Sequence, residues 1–245
     1  MKPLRVFKAA ALAAAAVLAT GNAGNWNLTV EEVGSHHVIG NPEADVELIE
    51  FVSYTCPHCA HFSVDGDGAL QLAYVGTGKV RREIRHIIRD PIDLTAALLA
   101  RCGDRQKFQR NHHAIMLAQE TWLPLAAKAS PAQQARWMQG TPHSRFRAIA
   151  ADLGFEDIME RRGYERTEID RCLADETAAR ALIAESNASF EEFGITGTPS
   201  FVLNGELLED VHSWPALQPK LDEAFLPKPE GEEEEEDAGD EPAET

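Results

Sequence analysis

Glu50-Phe51-Val52-Ser53-Tyr54-Thr55-Cys56-Pro57-His58-Cys59-Ala60 joins an apolar run to a Cys-x-x-Cys pair, and the fold turns on how that junction is read. Val46 to Ser53 is short, apolar and rich in branched and aromatic residues, the signature of a strand. Pro57 then stands where proline is favoured, in the first turn of a helix where its missing donor costs nothing, and this puts Cys56 at the N-cap. There the thiol faces the unsatisfied amides and partial positive charge of the helix start, so its pKa is expected to be low. Cys59 lies three residues on, along the same helix face and within reach of a disulfide, so one cysteine can attack while the other resolves. Haem attachment would need histidine where Ala60 stands. A zinc site could recruit Cys56, Cys59 and His61, but Cys102 and Cys172 stand singly, so the closed four-ligand spacing is missing. A purely structural bridge would close only a four-residue loop and gain little.

Working outward, Val80 to Ile88 reads as a second strand. Leu94 to about Phe193 has helical spacing, which Pro124, Pro131 and Pro142 should divide into several helices. Ser200 to Leu203 and Glu206 to Leu208 flank Asn204-Gly205, a two-residue hairpin signal, and a last helix is expected from about Trp214 to Phe225. The order describes an α/β sheet domain interrupted by a helical insertion. Its expected parts are 24–93 and 194–226 for the sheet domain and 94–193 for the insertion.

The ends differ from the body. Lys2, Arg5 and Lys8, the Ala-rich run Ala9 to Thr20, and Gly21-Asn22-Ala23-Gly24 have the charged, apolar, small-residue order of a signal peptide over 1–23, with cleavage after Ala23. That apolar run is shorter than the about 20 residues a stable membrane anchor needs. Residues 227–245 are expected to be a disordered tail, since ten acids without a base lie between Glu230 and Thr245. Between the ends, 20 basic and 30 acidic residues leave a net −10 with no Lys/Arg cluster, which argues against nucleic-acid binding.

The motif from Glu50 to Cys59, taken with Gly197-Thr198-Pro199-Ser200-Phe201 downstream, resembles the DsbA family of exported thiol:disulfide oxidoreductases. These have a thioredoxin fold with an inserted α-helical domain. The resemblance covers nearly all of Gly24 to Phe225 and implies a role for each matching residue. Cys56 would exchange with clients, Cys59 would resolve, and His58 would add positive charge or a donor beside the Cys56 thiolate. Pro199 would be cis and lie against the sulfurs, with the Thr198 backbone open to an extended client. Glu50 shares strand parity with Val46, Leu48 and Val52 and so points where apolar residues point. The resemblance places it beneath the active site as a proton acceptor for Cys59. No metal or organic cofactor is implied. The implied partners are newly exported cysteine-containing proteins and a membrane quinone-linked protein that reoxidises a periplasmic monomer. A reductase or isomerase of the same fold, or a non-catalytic client-binding chaperone, would present the same groove.

Cys102 and Cys172 are either lone buried thiols or a structural disulfide across the insertion, and export favours the bridge. Closing about 70 residues would contribute roughly 4 kcal/mol in the chain-entropy model. His36-His37 and His112-His113 are tempting as metal pairs, but adjacent residues do not face the same way, and surface or cap positions are expected for them.

Overall fold

The computed structural model describes residues 25–226; the expected signal peptide (1–23) and acidic tail (227–245) lie outside them. In chain order the elements are β1 (Val30–Val33), β2 (His36–Ile39), β3 (Val46–Val52), α1 (Pro57–Asp65), α2 (Asp67–Ala69), β4 (Val80–His86), α3 (Pro91–Ala100) and α4 (Phe108–Leu117). There follow α5 (Gln119–Ala127), α6 (Pro131–Met138), α7 (Pro142–Asp152), α8 (Phe155–Arg161), α9 (Arg166–Leu173), α10 (Glu176–Phe193), β5 (Ser200–Leu203), β6 (Glu206–Leu207) and α11 (Trp214–Glu223). The six-stranded sheet has the order β1-β2-β4-β3-β5-β6. Within it β3 and β4 are parallel, and every other neighbouring pair is antiparallel. This is a thioredoxin fold with an inserted helical region, as the resemblance implies.

β3 is central and covered on both faces, which is why it reads as an almost unbroken apolar run. Its even residues Val46, Leu48 and Val52 join the main core with Phe62, Leu70 and Leu98. Its odd residues Ile49 and Phe51 join a smaller cluster with Ile87, Ile195 and Val202 on the other face. The parity that the sequence assigns to Glu50 therefore directs its carboxylate into the main core.

Two features depart from the sequence reading. The β1–β2 hairpin is new: only Val30 of β1 is buried, and two histidines open β2, so neither strand announces itself. Its turn needs Gly34, whose φ of +59° disfavours residues with a side chain. The break between α4 and α5 falls at Ala118, and Pro124 lies inside α5. Proline there forfeits a hydrogen bond to the Glu120 carbonyl, a loss that is tolerable because Glu120 faces water. Pro131 and Pro142 do begin helices, each behind a capping hydroxyl, Ser130 and Thr141.

Cys102, just after α3, is bonded to Cys172 on α9 across 70 residues. Cys102 is buried and Cys172 half-buried, and the Cys102 carbonyl receives hydrogen bonds from Asn111 Nδ2 and Tyr164 Oη. Reductant access to the Cys102 sulfur is therefore poor. Mild thiol treatment followed by alkylation is expected to label two cysteines, Cys56 and Cys59, by mass spectrometry. Four labels would contradict this.

Candidate active site

The N-terminus of α1 sets the site. Cys56 is the N-cap and Pro57 the first helical residue, so the Cys56 sulfur sits over the free amides of the first turn. Both cysteines are buried free thiols. The Cys56 Sγ donates to the Thr198 carbonyl at 3.1 Å, and the Thr198–Pro199 peptide is cis. The pKa of Cys56 is lowered to about 5, first by a hydrogen bond from Cys59, then against burial by the Thr198 side chain and the backbone N–H groups of Cys59 and His58. Cys59 moves the other way: burial pushes its thiol well above the ordinary value, and the neighbouring Cys56 adds to this. One pair thus holds a thiolate and a retained thiol side by side.

His58 contributes through its backbone. Its side chain is exposed and meets the His61 ring edge-on at 6.4 Å. Glu50 is buried, as its parity requires, and its Oε2 accepts from Arg82 Nε at 3.0 Å. The same guanidinium donates to Asp67 Oδ1 at 2.6 Å. Burial raises the Glu50 pKa despite Arg82, whereas at Asp67 burial is outweighed by Arg82, His113, His112 and Ser63 acting together, which hold the carboxyl well below its usual range. The groups acting most strongly on the Cys59 thiol are Cys56, Ser53 and Thr198, and Glu50 is occupied by its arginine.

Several residues that fix the loop were not singled out from sequence. Asp93, at the start of α3, accepts from Ser53 Oγ at 2.6 Å and from the Tyr54 N–H at 2.7 Å. Gln119, the first residue of α5, donates its Nε2 to the carbonyls of Tyr54 (2.6 Å) and Cys56 (2.9 Å). The helical insertion thereby grips the backbone on either side of Thr55. The Tyr54 hydroxyl meets His86 Nε2 at 3.1 Å and His112 Nδ1 at 2.8 Å. His37 stacks on Phe108 at 3.6 Å. His37 and His112 are therefore core residues, contrary to the surface reading. Burial lowers the pKa of each to about 3, which keeps them neutral. Among the described residues no group of three or more His, Cys, Asp or Glu is placed to hold a metal.

Gln119→Leu should leave the buried Tyr54 carbonyl without its donor, at about 1–3 kcal/mol in stability, while the Cys56 carbonyl keeps the N–H groups of Cys59 and Ala60. It should also raise the pKa of Cys56 by loosening the loop that holds it. Thiolate absorbance at 240 nm against pH measures the second effect. An unchanged titration would reduce Gln119 to a merely structural support.

The description of the matching family model is Thioredoxin, and it covers residues 32–223. A Rickettsia typhi protein named as a candidate protein-disulfide oxidoreductase is 30% identical over 174 residues, which are 71% of this chain and 56% of that protein. A counterpart in Rickettsia bellii is 29% identical, over 77% of this chain and 64% of that protein. The chain thus spans little more than half the length of the first of these relatives. Among solved structures, a protein-disulfide isomerase from Novosphingobium aromaticivorans is 42% identical with a TM-score of 0.76, covering 80% of this chain and all of that one. Wolbachia pipientis α-DsbA1 shares the fold at 18% identity, with a TM-score of 0.63 over 79% of this chain and 92% of its own.

Proposed function

The chain belongs to the thioredoxin family, and from that premise we propose that it is an exported, monomeric thiol:disulfide oxidoreductase that introduces disulfides into translocated proteins at Cys56-Pro57-His58-Cys59. The observation that carries this reading is the opposed acidity of the two thiols, Cys56 lowered to about 5 and Cys59 raised. A client thiolate attacks Sγ of Cys56 in the Cys56–Cys59 disulfide. That S–S bond breaks, and its electron pair leaves on Cys59, which takes up a proton because burial favours its neutral form. A second client thiolate then attacks the client sulfur of the mixed disulfide and expels Cys56 as a thiolate. The client loses two electrons and gains a disulfide, and the protein gains a dithiol. A thiolate stabilised at about pH 5 is a good leaving group, so transfer toward the client is favoured. The groove lined by Cys56, Pro57, Ile87, Phe190 and Thr198 supplies apolar surface for an extended client. A membrane quinone-linked partner would reoxidise the pair in the periplasm, and the exchange needs no metal or organic cofactor.

One observation favours a second reading within the same chemistry: the 42% identical neighbour bears the name of an isomerase. An isomerase works with its pair reduced. Equilibration with glutathione buffers separates the two. An oxidase should stay largely reduced until the buffer is strongly oxidising, whereas a pair already oxidised at cytosol-like ratios would sink the oxidase assignment. Serine at Cys56 and Cys59 tests the chaperone alternative, since a holdase would keep its activity.

A further inference from the structure

Away from the thiols, a cleft of about 790 Å³ opens between the π-helical segment Leu70–Val75 and the helical insertion, with Lys107, Arg110, His113 and Arg162 on its insertion side. Among the described residues Lys107, Arg110 and Arg162 pair with no carboxylate, and the Arg162 Nε is buried without a hydrogen-bond partner. Lys107 lies over the Tyr164 ring. The single acid of the lining, Asp104, is engaged in capping Gln106 N–H. Such a concentration of unpaired cations is out of character for a chain of net charge −17. It calls for an anionic occupant.

The chain carries one. Glu232 to Glu236 is an unbroken run of five acids, followed by Asp237, Asp240 and Glu241. The last described residues pack on the segment that walls the cleft: the Phe225 ring stacks on Tyr74 at 6.2 Å, and Tyr74 belongs to the same π-helical segment that gives Gln71 and Leu72 to the cleft wall. Glu232 is six residue steps beyond Leu226, and extended chain covers about 3.3–3.6 Å per residue, so the start of the run can reach roughly 20 Å from Leu226. We propose that the cleft of Lys107, Arg110 and Arg162 is a docking site for the chain's own acidic run Glu232–Glu236. Connection through a short link gives the run a local concentration of about a millimolar or more, so several modest ion pairs suffice to hold it. The inference is independent of the thiol chemistry.

The test is zero-length coupling of the full chain with a water-soluble carbodiimide, which joins a lysine amine to a carboxylate with loss of water, read by mass spectrometry of the monomer. Lys107 should couple to Glu232–Glu236 about tenfold more than Lys128 does, an excess that effective concentration can supply. The excess should vanish as salt rises from about 0.01 M to 1 M, where the Debye length falls from about 30 Å to about 3 Å. Arg110→Glu, an exposed change that touches neither coupling partner, should cut the Lys107 yield several-fold. Coupling spread evenly over Lys79, Lys107, Lys128 and Lys220 would overturn the proposal. So would Lys107 links that form only between chains, or a yield indifferent to salt and to Arg110→Glu.

Discussion

The reduced protein should melt above the oxidised protein, by about 5 °C or more near pH 8, and the gap should close as pH falls through about 5. The Cys56 thiol is lowered from 9.0 to about 5 in the folded, reduced chain, and forming the Cys56–Cys59 disulfide discards that stabilisation. A depressed pKa contributes stability that is fully present above the unfolded thiol value and is lost as pH falls through the folded one. Four pH units correspond to about 5 kcal/mol at full strength. The sulfur borders an open groove, so solvent screening leaves a couple of kcal/mol. In a domain of this size each kcal/mol moves the midpoint by about 2–4 °C. Cys59 narrows the gap again at high pH, because its raised pKa costs stability once the unfolded thiol would ionise. Restricting the unfolded chain by so short a disulfide loop favours the oxidised form only slightly. Calorimetry of both redox forms at pH 5, 7 and 8 provides the measurement. An oxidised form that melts higher at pH 8 would place the pair among reductants and remove the oxidase proposal.

What made the thiol pair legible is that its physics is local. The apolar run before it, Pro57 at the first helical position and the spacing to Cys59 all lie within a dozen residues, and the structure puts Cys56 at the N-cap. The Asn204-Gly205 turn is local in the same way, with both residues at positive φ. Glu50 was half legible. Parity gives the face it points to, but its partner Arg82 lies 32 residues away on β4, among Arg81, Glu83 and Arg85, where it looks like one more solvent-facing charge. Asp67 and Gln119 are polar residues on helices, and their task appears only when a distant backbone is brought against them. The adjacency of His36-His37 and of His112-His113 argues against a shared ligand. It does not reveal that one member of each pair stacks in the core while its neighbour reaches a carboxylate, His36 to Glu185 and His113 to Asp67. The β1–β2 hairpin escapes because its strands carry glutamates and histidines in place of an alternating apolar pattern.

Arg82→Met should be the most damaging single change away from the thiols, lowering stability by about 3–5 kcal/mol at neutral pH, because it leaves two carboxylates buried without their counter-charge. The guanidinium is almost fully buried between Glu50 Oε2 and Asp67 Oδ1, and methionine fills its volume without supplying a donor. His113, 3.3 Å from Asp67 Oδ2, touches one carboxylate and not the other, so it cannot replace the bridge. The pH dependence distinguishes this cause from a packing defect. In the parent protein the depressed pKa of Asp67 contributes stability above the ordinary carboxylate range, and that contribution is lost as pH falls through its low folded value. Without Arg82 both carboxyls are raised by burial, so the sign reverses: the variant should be least stable at neutral pH and recover as acid protonates Glu50 and Asp67. Adding Glu50→Gln and Asp67→Asn to Arg82→Met should restore much of the loss at pH 7, since the buried charges are then gone together with their partner. Urea unfolding of the three proteins between pH 4 and 8 supplies the comparison. A single variant whose deficit does not change with pH, or a triple variant no better than the single, would show that Arg82 acts through its shape and not through its charge.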